Sequence, residues 1–232
     1  GGPATANLSK AWILSTLGAG RVNFLSWHTY QKNPKDFDED QRNVISWLLP
    51  YPNAVLMPKF ITEFGFTGDK STLYGSTYAS AHAAAVIREL ISGGPTYLFS
   101  FQLRDTAGGG NDWGLLTTEG APKPRYWIYT FIDAMAGNRL ALSGEGTWVT
   151  GFASTRDHVT RVLLANFDAQ GSHSENVPIT FTSLDNGTYR LRERIFLGRD
   201  VITEILATGG VLEKQLFMPA QSVALLELTK KP

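Results

Sequence analysis

Side chains able to do acid–base or nucleophilic chemistry follow three short apolar runs of the sequence. His28 and Tyr30 follow the first run, Glu63 the second, and Gln102 the third. Glu63 leaves an apolar run as a carboxylate with Phe and Gly residues around it, a setting that suits a nucleophile attacking a sugar ring. The alternative is a helix-capping or surface glutamate.

His28 and Tyr30 are two residues apart, so in an extended strand both side chains lie on the same face. We predict that Tyr30 donates a hydrogen bond to Glu63, which holds the carboxylate ionised and in one rotamer. We predict that His28 binds a sugar hydroxyl. The alternative for His28 is a histidine packed in the core, and the alternative for Tyr30 is an ordinary aromatic residue at the rim of the sheet.

Two further residues are candidates for binding a sugar. Trp113 follows a glycine-rich run at 108–110, and its indole could stack on the apolar face of a pyranose or simply anchor a loop. Gln102 lies where the third apolar run ends. The next charged residues, Arg104 and Asp105, are predicted to pair with each other in a structural salt bridge.

Several other chemistries have no marker in the sequence. The chain has no Cys, which excludes disulfides, thiolate metal sites and cysteine nucleophiles. His82, His158 and His173 are scattered, so we predict no metal site. Glycine-rich phosphate loops and the Gly-x-Ser-x-Gly elbow of serine esterases do not occur, and we predict no cofactor.

The elements that position these residues alternate between strands and helices up to residue 137. The patterns predict strands at 21–27, 56–62 and 96–101, and helices at 9–17, 37–49, 73–92 and 124–135. The alternation of strands and helices along the chain indicates parallel strands joined by right-handed crossovers. A doubly wound sheet and a (β/α)₈ barrel both fit, and in both the sites lie at the carboxyl ends of the strands.

The remainder, 138–232, is β-rich. At least five short strands separated by turn signals predict an antiparallel β-sandwich, and Asn186-Gly187 predicts a hairpin between runs at 177–182 and 188–195. No aromatic platform is evident in this part, so we interpret it as a brace for the first. The sequence therefore predicts two domains, 1–137 and 138–232.

Charge and hydropathy exclude two classes of partner. The formal net charge is zero, with 21 Lys and Arg against 21 Asp and Glu, which disfavours nucleic acid. No apolar run reaches the roughly 18 residues of a membrane span.

Around these residues the sequence resembles the retaining glycoside hydrolases of clan A, most nearly family 39, the β-xylosidase and α-L-iduronidase type. Four pieces carry the resemblance: Gly1-Gly2-Pro3-Ala4, Ser26-Trp27-His28-Thr29-Tyr30, Ile61-Thr62-Glu63-Phe64-Gly65 and Lys123-Pro124-Arg125-Tyr126-Trp127.

The resemblance implies the last three to four βα units of a (β/α)₈ barrel followed by a C-terminal β-sandwich. It implies that Glu63 is the nucleophile and that His28 and Tyr30 match residues of the preceding strand. The family's acid/base glutamate, in an Asn-Glu-Pro-type segment, has no counterpart here, although Asp105 or Asp112 could substitute. We therefore expect the C-terminal half of a hydrolase, partnered by a missing N-terminal half or by another copy, with a secreted or periplasmic location favoured.

Three functions are compatible with this sequence. The first is a retaining glycosidase of an oligo- or polysaccharide, with its acid/base on the missing half. The second is a catalytically inactive carbohydrate-binding fragment, favoured by the absent acid/base. The third is a structural module.

Overall fold

The computed structural model describes residues 8–231, except 20–21, 92, 94–95 and 107–111. Two sequence features, the piece Gly1–Ala4 and the glycine run at 108–110, lie outside the described residues. Contacts divide the chain into two compact units, one of residues 1–75 and 86–123 and the other of residues 76–85 and 124–232. The domain boundary after residue 137 stays a prediction.

The helices agree with the patterned segments of the sequence to within a few residues at most ends. They are α1 (Lys10–Ala19), α2 (Lys35–Leu48), α3 (Pro52–Val55), α4 (Thr77–Leu90) and α5 (Pro124–Ala134). The segment predicted as one helix over 73–92 begins instead with a 3₁₀ turn at Thr72–Gly75, which precedes α4. None of the described helices is long and apolar enough to cross a membrane.

A three-stranded parallel sheet forms the centre of the first unit. Its strands are β1 (Leu25–Tyr30), β2 (Lys59–Gly65) and β3 (Thr96–Ser100), in the order β1-β2-β3. The parallel arrangement is the predicted one, but β1 and β2 each end three residues later than the apolar runs do. A backbone ladder continues whatever the side chains are, so His28, Tyr30 and Glu63 lie within strands and not after them.

One face of this sheet is packed against helices. Leu25, Trp27 and Thr29 are buried in alternation along β1. The Phe37 ring of α2 meets the Phe64 ring of β2 edge-on at 6.3 Å. Alternation with a period of two therefore places His28 and Tyr30 on the opposite face, and Trp27, which precedes His28, packs on the helix side.

Asp40 of α2 lies on the helix side of the sheet, where Thr29 donates a hydrogen bond of 3.2 Å to its carboxylate. Burial raises the pKa of Asp40, the Thr29 hydrogen bond opposes this, and the charges of Asp36 and Glu39 raise it further. A carboxyl group whose pKa is raised in the folded state contributes most to folding stability below its ordinary pKa. This stabilising contribution is lost as the pH rises through the raised pKa.

We therefore expect Asp40→Asn to increase the free energy of unfolding at neutral pH by less than about 1 kcal/mol, with a smaller gain near about pH 3. Urea unfolding at the two pH values measures this. Asp36→Asn is the control, because it removes a carboxylate that favours the start of α2, and we expect it to lower stability slightly. Equal stability of Asp40→Asn and the wild type at neutral pH would contradict the prediction.

The second unit is built of antiparallel strands in two sheets. A six-stranded sheet has the order β4-β5-β6-β11-β8-β9, and β7 pairs with β10. The strands are β4 (Asn138–Leu140), β5 (Val149–Arg156), β6 (Val159–Asn166), β7 (Glu175–Phe181), β8 (Gly187–Ile195), β9 (Asp200–Ala207), β10 (Leu212–Met218) and β11 (Ser222–Lys230). Leu191, Leu216 and Leu226 are fully buried in a core cluster to which both sheets contribute.

The hairpin predicted at Asn186-Gly187 is wrong. Gly187 has a positive φ of 142°, as the turn signal suggests, but the strands on either side of it do not pair. β7 pairs with β10, whereas β8 pairs with β9 and β11. The turn therefore connects strands of two different sheets, and long-range pairing decides which strands become neighbours.

Candidate functional site

Glu63 receives two polar contacts from β1. Tyr30 Oη donates a hydrogen bond of 2.8 Å to Glu63 Oε2, and His28 Nδ1 lies 3.2 Å from the same oxygen. The Tyr30 hydrogen bond is the one that the sequence predicts. Glu63 and His28 are partly exposed, with 26% and 16% of their side-chain surface accessible, so the carboxylate is held and remains open to approach.

A bulge in β2 turns Glu63 toward these partners. Trp27 pairs with Ile61, but the next residue, His28, pairs with Glu63, so Thr62 is the extra residue. The Thr62 hydroxyl donates a hydrogen bond of 3.2 Å to the Trp27 carbonyl and so ties the bulge to β1. Bulges re-aim side chains beside functional sites, and this one moves Glu63 onto the face of His28. An apolar run contains no signal for it.

Gly65 lets two tyrosines approach the end of β2. A Cβ at this position would lie 2.2 Å from Tyr74 Oη and 3.3 Å from Tyr30 Cδ1. Tyr74 is buried, and its hydroxyl donates a hydrogen bond of 2.5 Å to the Thr67 carbonyl. Tyr74 therefore packs against the end of β2, a contact that sequence reasoning missed and for which the glycine two residues after Glu63 was the available signal.

We expect Gly65→Ala to displace Tyr74 and Tyr30, because the new methyl group overlaps the Tyr74 hydroxyl. Overpacking of this kind costs about 1–3 kcal/mol, which a shift in the urea midpoint measures. Gly68→Ala is the matched control, since its Cβ would meet Tyr30 at an ordinary 3.8 Å and should change little. Tyr74→Phe added to Gly65→Ala removes the clashing hydroxyl and should restore part of the loss. A fully stable Gly65→Ala variant would show that the close approach does not matter.

Gln102 and Trp113 lie in a second group, on the segments that follow β3. The Gln102 backbone N–H donates to the Trp113 carbonyl at 3.2 Å, and the Phe101 and Trp113 rings are 5.7 Å apart. Lys70 Nζ lies 5.6 Å from the centre of a Trp113 ring. Gln102 Nε2 is buried without a hydrogen-bond partner in the described part of the chain. These contacts join Gln102 and Trp113 to each other, to Phe101 and to Lys70, and not to Glu63.

The predicted ion pair between Arg104 and Asp105 is wrong. Arg104 Nε donates to the Thr118 carbonyl at 2.7 Å, whereas the Asp105 carboxylate is bound by Lys123 Nζ, with both oxygens at 2.9 Å. Adjacent side chains of an extended segment point to opposite sides, so Arg104 is exposed and Asp105 is buried. The lysine 18 residues away can be found only from the tertiary fold.

Asp112, the other alternative for an acid/base, is also held as a carboxylate. Lys70 Nζ contacts its Oδ1 at 2.5 Å, and the Thr106 backbone N–H donates to its Oδ2 at 3.0 Å. Hydrogen bonding from Lys70, then from Thr106, lowers the pKa of Asp112 to about 2. A group ionised at that pH does not donate a proton to a leaving group near neutrality.

The described residues contain no group of three or more His, Asp or Glu placed to hold a metal ion. His82 packs edge-on against Phe167 at 5.2 Å, and His173 Nε2 lies 2.5 Å from Glu175 Oε2.

No protein-family model and no curated protein sequence matches the chain. Solved structures match nearly all of it. A monomeric β-xylosidase from Caulobacter crescentus CB15 has a TM-score of 0.76 and 17% identity over 99% of this chain. A glucosidase from Croceicoccus marinus has a TM-score of 0.77 and 15% identity over 100% of this chain. The GH39 enzyme from Xanthomonas axonopodis pv. citri has a TM-score of 0.70 and 16% identity over 96% of this chain.

The match covers 60%, 60% and 57% of these three chains, so this chain spans somewhat more than half of their length. At such identities the likeness establishes the fold. The resemblance to family 39 of clan A that the sequence motifs indicate is therefore confirmed at the level of structure: the chain has the fold of the corresponding part of these glycoside hydrolases.

Proposed function

We propose that the chain carries the nucleophile of a retaining glycoside hydrolase. The observation that supports this most strongly is the arrangement around Glu63. Tyr30 Oη donates to Glu63 Oε2, and His28 Nδ1 contacts the same oxygen. In the proposed role these contacts hold Oε2 in place and Oε1 attacks, as a carboxylate nucleophile requires.

In the proposed double displacement, Glu63 Oε1 forms a bond to the anomeric carbon while the bond from that carbon to the leaving oxygen breaks. A general acid gives its proton to the leaving oxygen. Water then attacks the anomeric carbon and gives a proton to the same residue, now acting as a base, and Glu63 is released as a carboxylate. Tyr30 steadies the carboxylate before and after the step. His28 uses Nδ1 toward Glu63, and we assign its Nε2 to a sugar hydroxyl.

The acid/base, in this proposal, belongs to polypeptide outside the given sequence. Three carboxyl groups of the chain are committed elsewhere: Asp105 and Asp112 are bound by lysines, and Asp40 of α2 accepts a hydrogen bond from Thr29 on the helix side of the sheet. A retaining mechanism requires a second carboxyl group about 5–5.5 Å from the nucleophile. The matched structures are longer than this chain, which supports a supply from additional sequence.

The remaining structural proposals follow from the same comparison. We infer that β1, β2 and β3 are the last strands of a (β/α)₈ barrel, with the second unit as its β-sandwich. We assign Gln102 and Trp113, which lie beyond the carboxyl end of β3, to substrate binding, because the loops at this end of such a barrel form the site. The sugar and the linkage are set by loops, several of which lie outside this sequence.

An aromatic sheet face supports the barrel interpretation. Phe60 of β2 contacts Phe24 at 5.3 Å and Tyr97 at 4.9 Å, and Phe24, Tyr97 and Phe99 are exposed. We propose that the other strands and helices of the barrel cover this face. Size-exclusion chromatography of the chain alone should show aggregation or self-association, and a stable monomer would count against the proposal.

Mechanism-based labelling tests the catalytic role directly. A 2-deoxy-2-fluoro glycosyl fluoride traps the covalent intermediate, so peptide mass spectrometry of the enzyme assembled with the acid/base-bearing polypeptide should locate the sugar on Glu63. A label on another carboxylate rejects the assignment. The Tyr30→Phe enzyme is the control, since it keeps the nucleophile and should still be labelled, at a lower rate.

The second candidate is a non-catalytic carbohydrate-binding chain. It is favoured by the lysine partners of Asp105 and Asp112, which leave Glu63 without an evident proton donor. Two results together would select this function over the first. Glu63→Gln would leave sugar binding unchanged, and the assembled wild-type protein would show no turnover.

A further inference from the structure

A groove of about 420 Å³ opens on the second unit, and its lining includes none of the residues assigned to catalysis. It is lined by α5 on one side and by the turn between β8 and β9 on the other. Trp127 and Phe131 line it from the helix, and Arg194, Arg199 and Asp200 line it from the strands. Its volume lies within the range of ligand sites, about 300–1,000 Å³.

The groove presents an indole to solvent. Trp127 is 43% exposed, although an indole is a costly side chain to leave in water. Beneath it, Phe131 is buried, and the Arg194 guanidinium lies 5.1 Å from the centre of the Phe131 ring. The groove thus combines a flat apolar surface with a cation held in place on an aromatic ring.

Arginines outnumber carboxylates along the strands behind the groove. Glu227 is shared by Arg194 at 3.0 Å, Arg161 at 3.2 Å and Arg192 at 4.0 Å. Arg192 is also held by Asp200 through two hydrogen bonds of 2.9 and 2.7 Å. In this network three guanidinium groups share two carboxylates.

A second network reaches the groove through Arg199. Arg199 lies 3.3 Å from Glu193, and Lys214 contacts the same buried carboxylate at 2.6 Å. Among the residues that line the groove, two guanidinium groups, those of Arg194 and Arg199, meet one carboxylate, that of Asp200. Arg194 Nε is also buried without a hydrogen-bond partner in the described residues, so this guanidinium is not fully satisfied by the protein.

We propose that this groove binds an acidic oligosaccharide. The Trp127 indole packs against the C–H face of a pyranose ring, and the carboxylate of a uronic acid residue is bound by the guanidinium groups of Arg199 and Arg194. The excess of positive charge selects a carboxylated sugar over a neutral one. The site lies on a different unit from Glu63 and does not depend on the proposed catalysis.

Calorimetric titration of the full chain tests the ligand class. The probes are a hexasaccharide of galacturonic acid and the same hexasaccharide after its carboxylates have been reduced to alcohols. We expect the acidic form to bind about tenfold more tightly or better, and to weaken as salt is added. Equal affinity for both forms, or binding of neither, would overturn the proposal, as expected if the groove instead seats a polypeptide segment.

Variants locate the binding to the groove. Trp127→Ala and Arg199→Gln should each weaken the acidic probe by about tenfold. Trp148→Ala is the matched control, because Trp148 lies on the same unit with a similar exposure of 41% and outside the groove. If Trp127→Ala fails to fold by circular dichroism, Arg199→Gln carries the test, since Arg199 is half exposed. Unchanged affinity in the folded variants refutes the site.

Discussion

Glu63→Ala is expected to reduce the proposed glycosidase activity of the assembled enzyme by at least about 10⁴-fold, because it removes the carboxylate that forms the covalent intermediate in the proposed mechanism. Tyr30 and His28 meet at Glu63 Oε2, so the variant leaves two polar groups around an empty position. The measurement is turnover of an aryl glycoside whose leaving group needs no acid assistance, which isolates the nucleophile from the proton donor.

Azide provides the control for this prediction. A small anion can enter the space left by the Glu63 side chain and attack the anomeric carbon from the same face, so added azide should restore activity and give a glycosyl azide of inverted configuration. Rescue distinguishes loss of a nucleophile from loss of folding. Glu63→Ala activity close to that of the wild type would show that another group performs the attack.

Lys123→Met is expected to destabilise the first unit by about 3–5 kcal/mol, because it leaves Asp105 as a buried charge without its partner. Only 7% of the Lys123 side chain and 5% of the Asp105 side chain are exposed. The ammonium group contacts both Asp105 oxygens at 2.9 Å and the Asp112 carbonyl at 2.8 Å. Denaturant unfolding followed by circular dichroism measures the loss.

Two further variants test the cause. The double variant Lys123→Met, Asp105→Asn removes the unpaired charge. It keeps an oxygen for the Gly114 N–H, which in the wild type donates to Asp105 Oδ1 at 2.8 Å. The double variant should therefore recover much of the lost stability. Lys70→Met is the matched control: Lys70 is 53% exposed, and Asp112 keeps its Thr106 donors, so the loss should be smaller. Equal losses for Lys70→Met and Lys123→Met would contradict the argument from burial.

The sequence by itself indicated that Tyr30 and Glu63 lie together. Alternation with a period of two puts His28 and Tyr30 on one face, and neighbouring parallel strands bring their carboxyl ends to one edge. These rules are local, or depend only on strand order, so they bring Tyr30 and Glu63 to the same edge of the sheet, where the predicted hydrogen bond is found. The helices, whose apolar periodicity is also local, were likewise predictable to within a few residues at most ends.

Only the tertiary structure decided the contacts that depend on distant parts of the chain. The bulge at Thr62 adds one residue to β2 relative to its neighbours and so selects the face of Glu63. The partner of Asp105 is Lys123, and the partner of β7 is β10, and both are far away in sequence. Such pairings depend on how all the elements pack together at once, and no local pattern of residues contains that information.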